Sequence, residues 1–143
     1  MQPSVRPDSA LPAVLVVGTD DWAVEQVTAT LARSGCATLT CHPPGEPAFP
    51  CNAFVAGRVC PLDAGFDVLV TVRARPVDQP TPGEMGVICG LRAGAPLVVA
   101  GMDIGKPFAP WAARTLGDGD SLADIVAELA AAAPPSTGID DRQ

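Results

Sequence analysis

The chain has 143 residues, 48% apolar and 17% charged, which suits one domain with its own core and excludes global disorder. Sixteen acidic residues against nine basic give a formal net charge of −7. That sign repels phosphate backbones and anionic headgroups, so neither nucleic acid nor a membrane surface is expected as a partner.

Residues 1–12 carry three prolines and read as a flexible N-terminal tail, without the charged start and long apolar run of a signal peptide. "AVLVVG" (13–18) is a continuous Val-rich run, as in a strand buried on both faces of a parallel sheet. Asp20 and Asp21 follow and can cap a helix in which Val24, Val27 and Leu31 share one face, with Gly35 as its stop. "CATLTC" (36–41) is a second strand, which completes a β-α-β unit. Residues 41–65 are rich in Pro, Gly and Cys and show no sustained period, so a long loop stands where a second helix is due.

The second half repeats the alternation. "FDVLVTV" (66–72) is a strand. "TPGE" (81–84) is a helix start in which Thr81 and Glu84 can cap each other's backbone and Pro82 needs no N–H. The helix ends at Gly94, and "APLVVAG" (95–101) is another buried strand. A short fifth strand is expected around residues 113–116. Ser121 and Asp124 open a last helix with Leu122, Ile125, Val126 and Leu129 on one face. The fold expected is a single doubly wound α/β domain over residues 13–133, with a mostly parallel sheet of four to five strands and an acidic tail at 134–143.

This layout resembles the response-regulator receiver domain, a flavodoxin-like fold. "FDVLVTVRARP" is similar to the receiver segment in which a phosphate-accepting Asp precedes a Pro. Counting back from Pro76 places Val72 at the acceptor position. The receiver's acidic pair follows its first strand directly, and here Gly18 and Thr19 stand there, with Asp20 and Asp21 slightly late. "GKPFAP" (105–110) echoes the family's Lys-Pro motif but falls too soon after the preceding strand. The resemblance thus implies a pseudo-receiver that is not phosphorylated on aspartate. It also implies an interaction surface over residues 108–129, where Phe108 and Trp111 either meet a partner or pack on the sheet. The first functional reading is a non-catalytic regulatory or protein-interaction domain, with a protein partner or homodimer.

The residues leave other chemistry open. Gly18 alone, followed by two carboxylates, makes a poor phosphate cradle, and the plain reading is a capped strand-to-helix turn. Asp20, Asp21 and Asp103 all follow strand ends and could hold Mg²⁺, or simply cap helices and face solvent. Arg73 and Arg75 at the same edge could take an anion or pair with those acids. Cys36 in a strand and Cys89 in a helix read as small buried hydrophobes.

"CHPPGEPAFPC" (41–51) is different, because Cys41, Cys51 and Cys60 punctuate the loop at intervals of ten and nine, beside the only histidine, His42. Thiolates and a neutral imidazole suit zinc, and thiolates suit an iron–sulfur cluster. No Cys-x-x-Cys occurs. The alternative function is therefore a metal-, iron–sulfur- or thiol-redox-sensing domain using Cys41, His42, Cys51, Cys60 and Cys89, beside the plainer reading of inert packing. A cytoplasmic location is expected, where thiols stay reduced and where an odd count of five cysteines needs no disulfide framework.

Overall fold

The computed structural model describes residues 11–43, 45–74, 81–101, 108–117 and 119–132. Five strands form one sheet: β1 (Ala13–Gly18), β2 (Ala37–Leu39), β3 (Val68–Arg73), β4 (Leu97–Gly101) and β5 (Arg114–Thr115). Every pairing is parallel and the order is β2-β1-β3-β4-β5. That is the strand order of flavodoxin-like doubly wound sheets, whose direction of winding reverses between β1 and β3.

The helices are α1 (Asp21–Arg33), a single-turn α2 (Pro61–Ala64), α3 (Met85–Arg92) and α4 (Leu122–Ala132). Short 3₁₀ turns lie at Asn52–Phe54, Pro82–Glu84 and Ala109–Trp111. The long segment before β3 thus holds two isolated turns rather than a full helix. Pro61 starts α2 and Gly65 ends it at φ +90°, so the sequence permits one turn and stops.

Strand alternation divides the core into two layers. Val14, Val16, Val68, Val70, Val72 and Val98 face α1 and α4, packing on Leu31, Ile125 and Val126. Leu15, Val17, Leu69, Leu97 and Val99 face α3, where Val87 and Phe108 cover them. The apolar face expected for the last helix is therefore the one buried, with Leu129 partly covered at its edge. Phe108 packs onto the sheet at 6% exposure, whereas Trp111 remains 62% exposed.

α3 lies close to the sheet because its inner face has no side chains at two places. A Cβ on Gly90 would come within 2.7 Å of Leu69, and one on Gly86 within 2.6 Å of the Cys41 sulfur. Glycine costs helix stability, and here it is exchanged for close packing of helix on strand. Among the described residues no helix is long and apolar enough to cross a membrane.

Candidate functional site

In an open parallel sheet, ligands bind beyond the carboxyl ends of the strands where the winding reverses. Here that crevice is filled by the chain's own backbone. Gly18 ends β1, and a Cβ on it would lie 2.5 Å from the Val72 carbonyl oxygen. Gly83, in the turn before α3, sits so close that its Cβ would lie 2.6 Å from the Gly18 carbonyl oxygen. Thr19 joins the two strand ends: its N–H donates to the Val72 carbonyl at 3.2 Å, and its hydroxyl accepts from the Ala74 N–H at 3.1 Å. The cavity beside this junction, between Gly18, Asp21, Cys41, His42 and Gly83, measures about 20 Å³. That is space for one water, far below the several hundred Å³ of a nucleotide pocket.

Among the described residues of this edge, Asp20, Asp21 and Arg73 each bond within the fold. Asp20 stands at the N-cap of α1 but makes no side-chain cap bond there, so the expected capping role is corrected. Its carboxylate instead accepts from the Thr19 hydroxyl at 3.1 Å. Asp21 accepts from the Gly45 N–H at 2.7 Å, which ties the Cys/Pro loop to the start of α1. Asp103 and Arg75 lie outside the described residues.

Arg73, the last residue of β3, points to the α3 layer and meets Glu84 rather than Asp20 or Asp21. Its Nε donates to Glu84 Oε2 at 2.9 Å and its Nη2 to Oε1 at 3.0 Å. Both side chains are buried, Glu84 completely. Glu84 also serves in the capping box anticipated from "TPGE", accepting from the Thr81 N–H at 2.9 Å and the Thr81 hydroxyl at 3.1 Å. Sequence reasoning found the cap and missed the ion pair. The signal was an arginine closing a Val-rich strand, which needs a buried counter-charge if it stays in the sheet.

On the α1 side of the same edge lies an open groove of about 430 Å³ between Trp22, Gln26, Val27, Val72 and Gly101. Its walls are largely apolar, and the one buried guanidinium beside it is held by Glu84.

The cysteines separate by layer. Cys36 packs against the α1 and α4 core. Burial pushes its thiol pKa up. Cys41 belongs to the α3 layer. Burial, then the nearby thiols of Cys51, Cys89 and Cys60, push its pKa up to about 12, so it stays protonated at neutral pH. Cys89 is exposed on α3, which corrects the expectation that it is a buried hydrophobe. Cys41, Cys51, Cys60 and Cys89 are all free thiols. Among the described residues no three His, Cys, Asp or Glu side chains are already spaced to hold a metal ion. His42 lies apart from the sulfurs in its contacts, with Nδ1 3.0 Å from the Pro43 carbonyl oxygen and Nε2 4.0 Å from Asp21 Oδ1.

Large apolar side chains flank these thiols in the chain. Phe49 and Phe54, 72% and 71% exposed, stand on either side of Cys51 with ring centroids 5.7 Å apart. Val59 and Leu62 bracket Cys60, and Met85 and Ile88 precede Cys89 on α3, all exposed. Comparison with known proteins adds no family: no protein-family model, curated protein or solved structure matches this chain.

Proposed function

We propose that this chain is a non-catalytic regulatory or protein-interaction domain of the pseudo-receiver type, acting in the cytoplasm without aspartyl phosphorylation. The observation that carries this reading is the run of exposed apolar side chains on the Cys/Pro loop and α3. Phe49, Phe54, Val59, Leu62, Met85 and Ile88 are each at least 40% exposed. Exposed apolar side chains of this size, with the Phe49 and Phe54 rings 5.7 Å apart, suit a contact with another protein. The filled crevice supports the same reading, because it leaves no room for a nucleotide beside Gly18. Val72 supports the phosphorylation clause: it stands at the receiver acceptor position, is 7% exposed and has no group that takes phosphate.

The test is sedimentation across a wide concentration range, with wild type compared to Phe49→Ser/Phe54→Ser. The wild type is expected to self-associate, or to hold a stoichiometric partner that the double variant releases. A strict monomer that retains no ring-dependent partner overturns the proposal. Acetyl phosphate is expected to leave the chain unlabelled, and a hydroxylamine-labile phosphoryl group on any Asp would overturn the phosphorylation clause.

A further inference from the structure

We propose that the outer row of α3 is the centre of a twofold contact between two copies of this chain. The contact rests on the protein-interaction reading above and names its partner. α3 runs from Met85 to Arg92, and Gly86, Val87 and Gly90 form its buried inner side. A surface helix ordinarily turns charged and polar residues outward. Here Met85, Ile88 and Cys89 are exposed at spacings of three and four, and only Arg92, at the end of the same row, is charged. An apolar row on the outside of a helix already packed on its inside suits a second layer of protein.

Charge decides which protein fits. The chain carries a formal net charge of −7, so two copies repel unless they meet on a face spared from that excess. On the α1 and α4 side, Asp21, Glu25, Asp124 and Glu128 outnumber Arg33 and, on β5, Arg114. The α3 side is balanced among the described residues. Arg73 pairs with Glu84 and Arg58 with Glu46, which leaves Asp63 on α2 and Arg92 on α3, one of each sign. The loop belongs to this side, with Cys41 resting over Gly86 and Phe66 packed in the α3 core. A neutral apolar face gives a strongly charged partner nothing to pair with, and it meets its own copy without repulsion. The row also matches itself. Positions 85, 88, 89 and 92 are symmetric about the middle of the helix. Two α3 helices crossing antiparallel on a twofold axis would set Ile88 against the partner's Cys89, and Met85 against the aliphatic stem of the partner's Arg92. An α3 of eight residues spans only about 12 Å, and a stable interface takes about 800 Å² from each partner, so the exposed Phe49 and Phe54 of the loop extend the contact.

The experiment measures sedimentation equilibrium of the full, reduced chain beside Ile88→Glu, Ile88→Lys and an equimolar mixture of those two variants. The wild type is expected to form a dimer. Each variant alone should weaken it on the order of tenfold or more, because each buries like charges on both sides of the axis. The mixture should recover dimers that hold one chain of each kind, since opposite charges then face each other. Ile88 is exposed, so both variants are expected to keep the wild-type circular dichroism and melting temperature. A second readout needs no variant. A short bismaleimide on the wild-type protein should join Cys89 to Cys89, a product that only two copies can give, and peptide mapping identifies it. The proposal is overturned by a dimer that both variants retain, by a mixture that stays monomeric, or by a dimer that yields no Cys89-to-Cys89 product. A monomeric wild type that holds a different protein through Phe49 and Phe54 overturns the second copy and leaves the protein-interaction reading standing. A monomer with no ring-dependent partner overturns both.

Discussion

Replacing Glu84 by Gln tests what holds the α3 layer to the sheet. The substitution keeps the shape and one carbonyl oxygen, so the cap bonds from Thr81 can persist. It removes the charge opposite a guanidinium that is only 3% exposed, and it places an amide N–H₂ where a carboxylate oxygen accepted from Arg73. Breaking one side of a buried ion pair costs about 3–5 kcal/mol. Against a total stability of about 5–15 kcal/mol, that is a large share. With a urea m-value of roughly 1–3 kcal/mol/M, the unfolding midpoint should fall by about 1–5 M. Arg73 makes further interactions, so its own substitution is not a clean measure of the pair. The cycle of Arg73→Met, Glu84→Gln and the double variant isolates the coupling, expected at about 1–3 kcal/mol. A Glu84→Gln cost below about 1 kcal/mol, or a coupling near zero, would refute the claim that this pair locks the turn before α3 to the end of β3.

Thr71 is 2% exposed and its hydroxyl has no hydrogen-bond partner among the described residues. Thr71→Val should therefore be neutral or stabilise by about 1–2 kcal/mol in urea unfolding, and a loss of more than about 1 kcal/mol would show that the hydroxyl is satisfied. Gly83→Ala would put a Cβ 2.6 Å from the Gly18 carbonyl oxygen, a backbone atom that cannot swing aside. It should cost about 1–3 kcal/mol by the usual scale of overpacking, and a melting temperature within a degree of wild type would contradict the close approach. Cys41, raised from 9.0 to about 12, favours the folded state only while protonated. That contribution is complete below about pH 9 and is lost as pH rises through about 12, up to a few kcal/mol. Urea midpoints for wild type should fall between pH 9 and 11 more steeply than for Cys41→Ala, and parallel slopes would sink the argument.

The strands were legible because parallel burial leaves a strong mark. "AVLVVG" and "PLVVAG" are Val-rich runs closed by glycine, and both lie in the sheet, with β4 beginning at Leu97. The capping box at Thr81 was legible for a related reason, since its partners lie three residues apart and need no tertiary information. The Arg73–Glu84 pair was not, because eleven residues separate its members and only the folding of the turn onto β3 joins them. The single turn of α2 also escaped notice, as four residues carry no period. Cys89 was misjudged for lack of a face: Gly86, Val87 and Gly90 form the buried side of α3, and a helix whose inner positions are glycines hides its own direction.

Apart from the cap at Asp20, the Arg73–Glu84 pair and the exposure of Cys89 both escaped sequence reasoning on the α3 side of the sheet. On the α1 and α4 side, periodic apolar residues cover the strands and the pattern closes on itself. On the α3 side one helix and a long loop share the work. The inward charge there is satisfied by Glu84, and the reversal crevice is occupied by Gly18, Thr19 and Gly83. Among the described residues the loop carries three free thiols and two phenyl rings largely in solvent. Among the described residues the loop is tied to the rest of the chain by hydrogen bonds to Asp21 and Thr40, by Cys41 resting over Gly86 and by the buried Pro61. Exposed apolar rings are what the proposed protein contact needs, so the loop is where substitutions test that reading most directly.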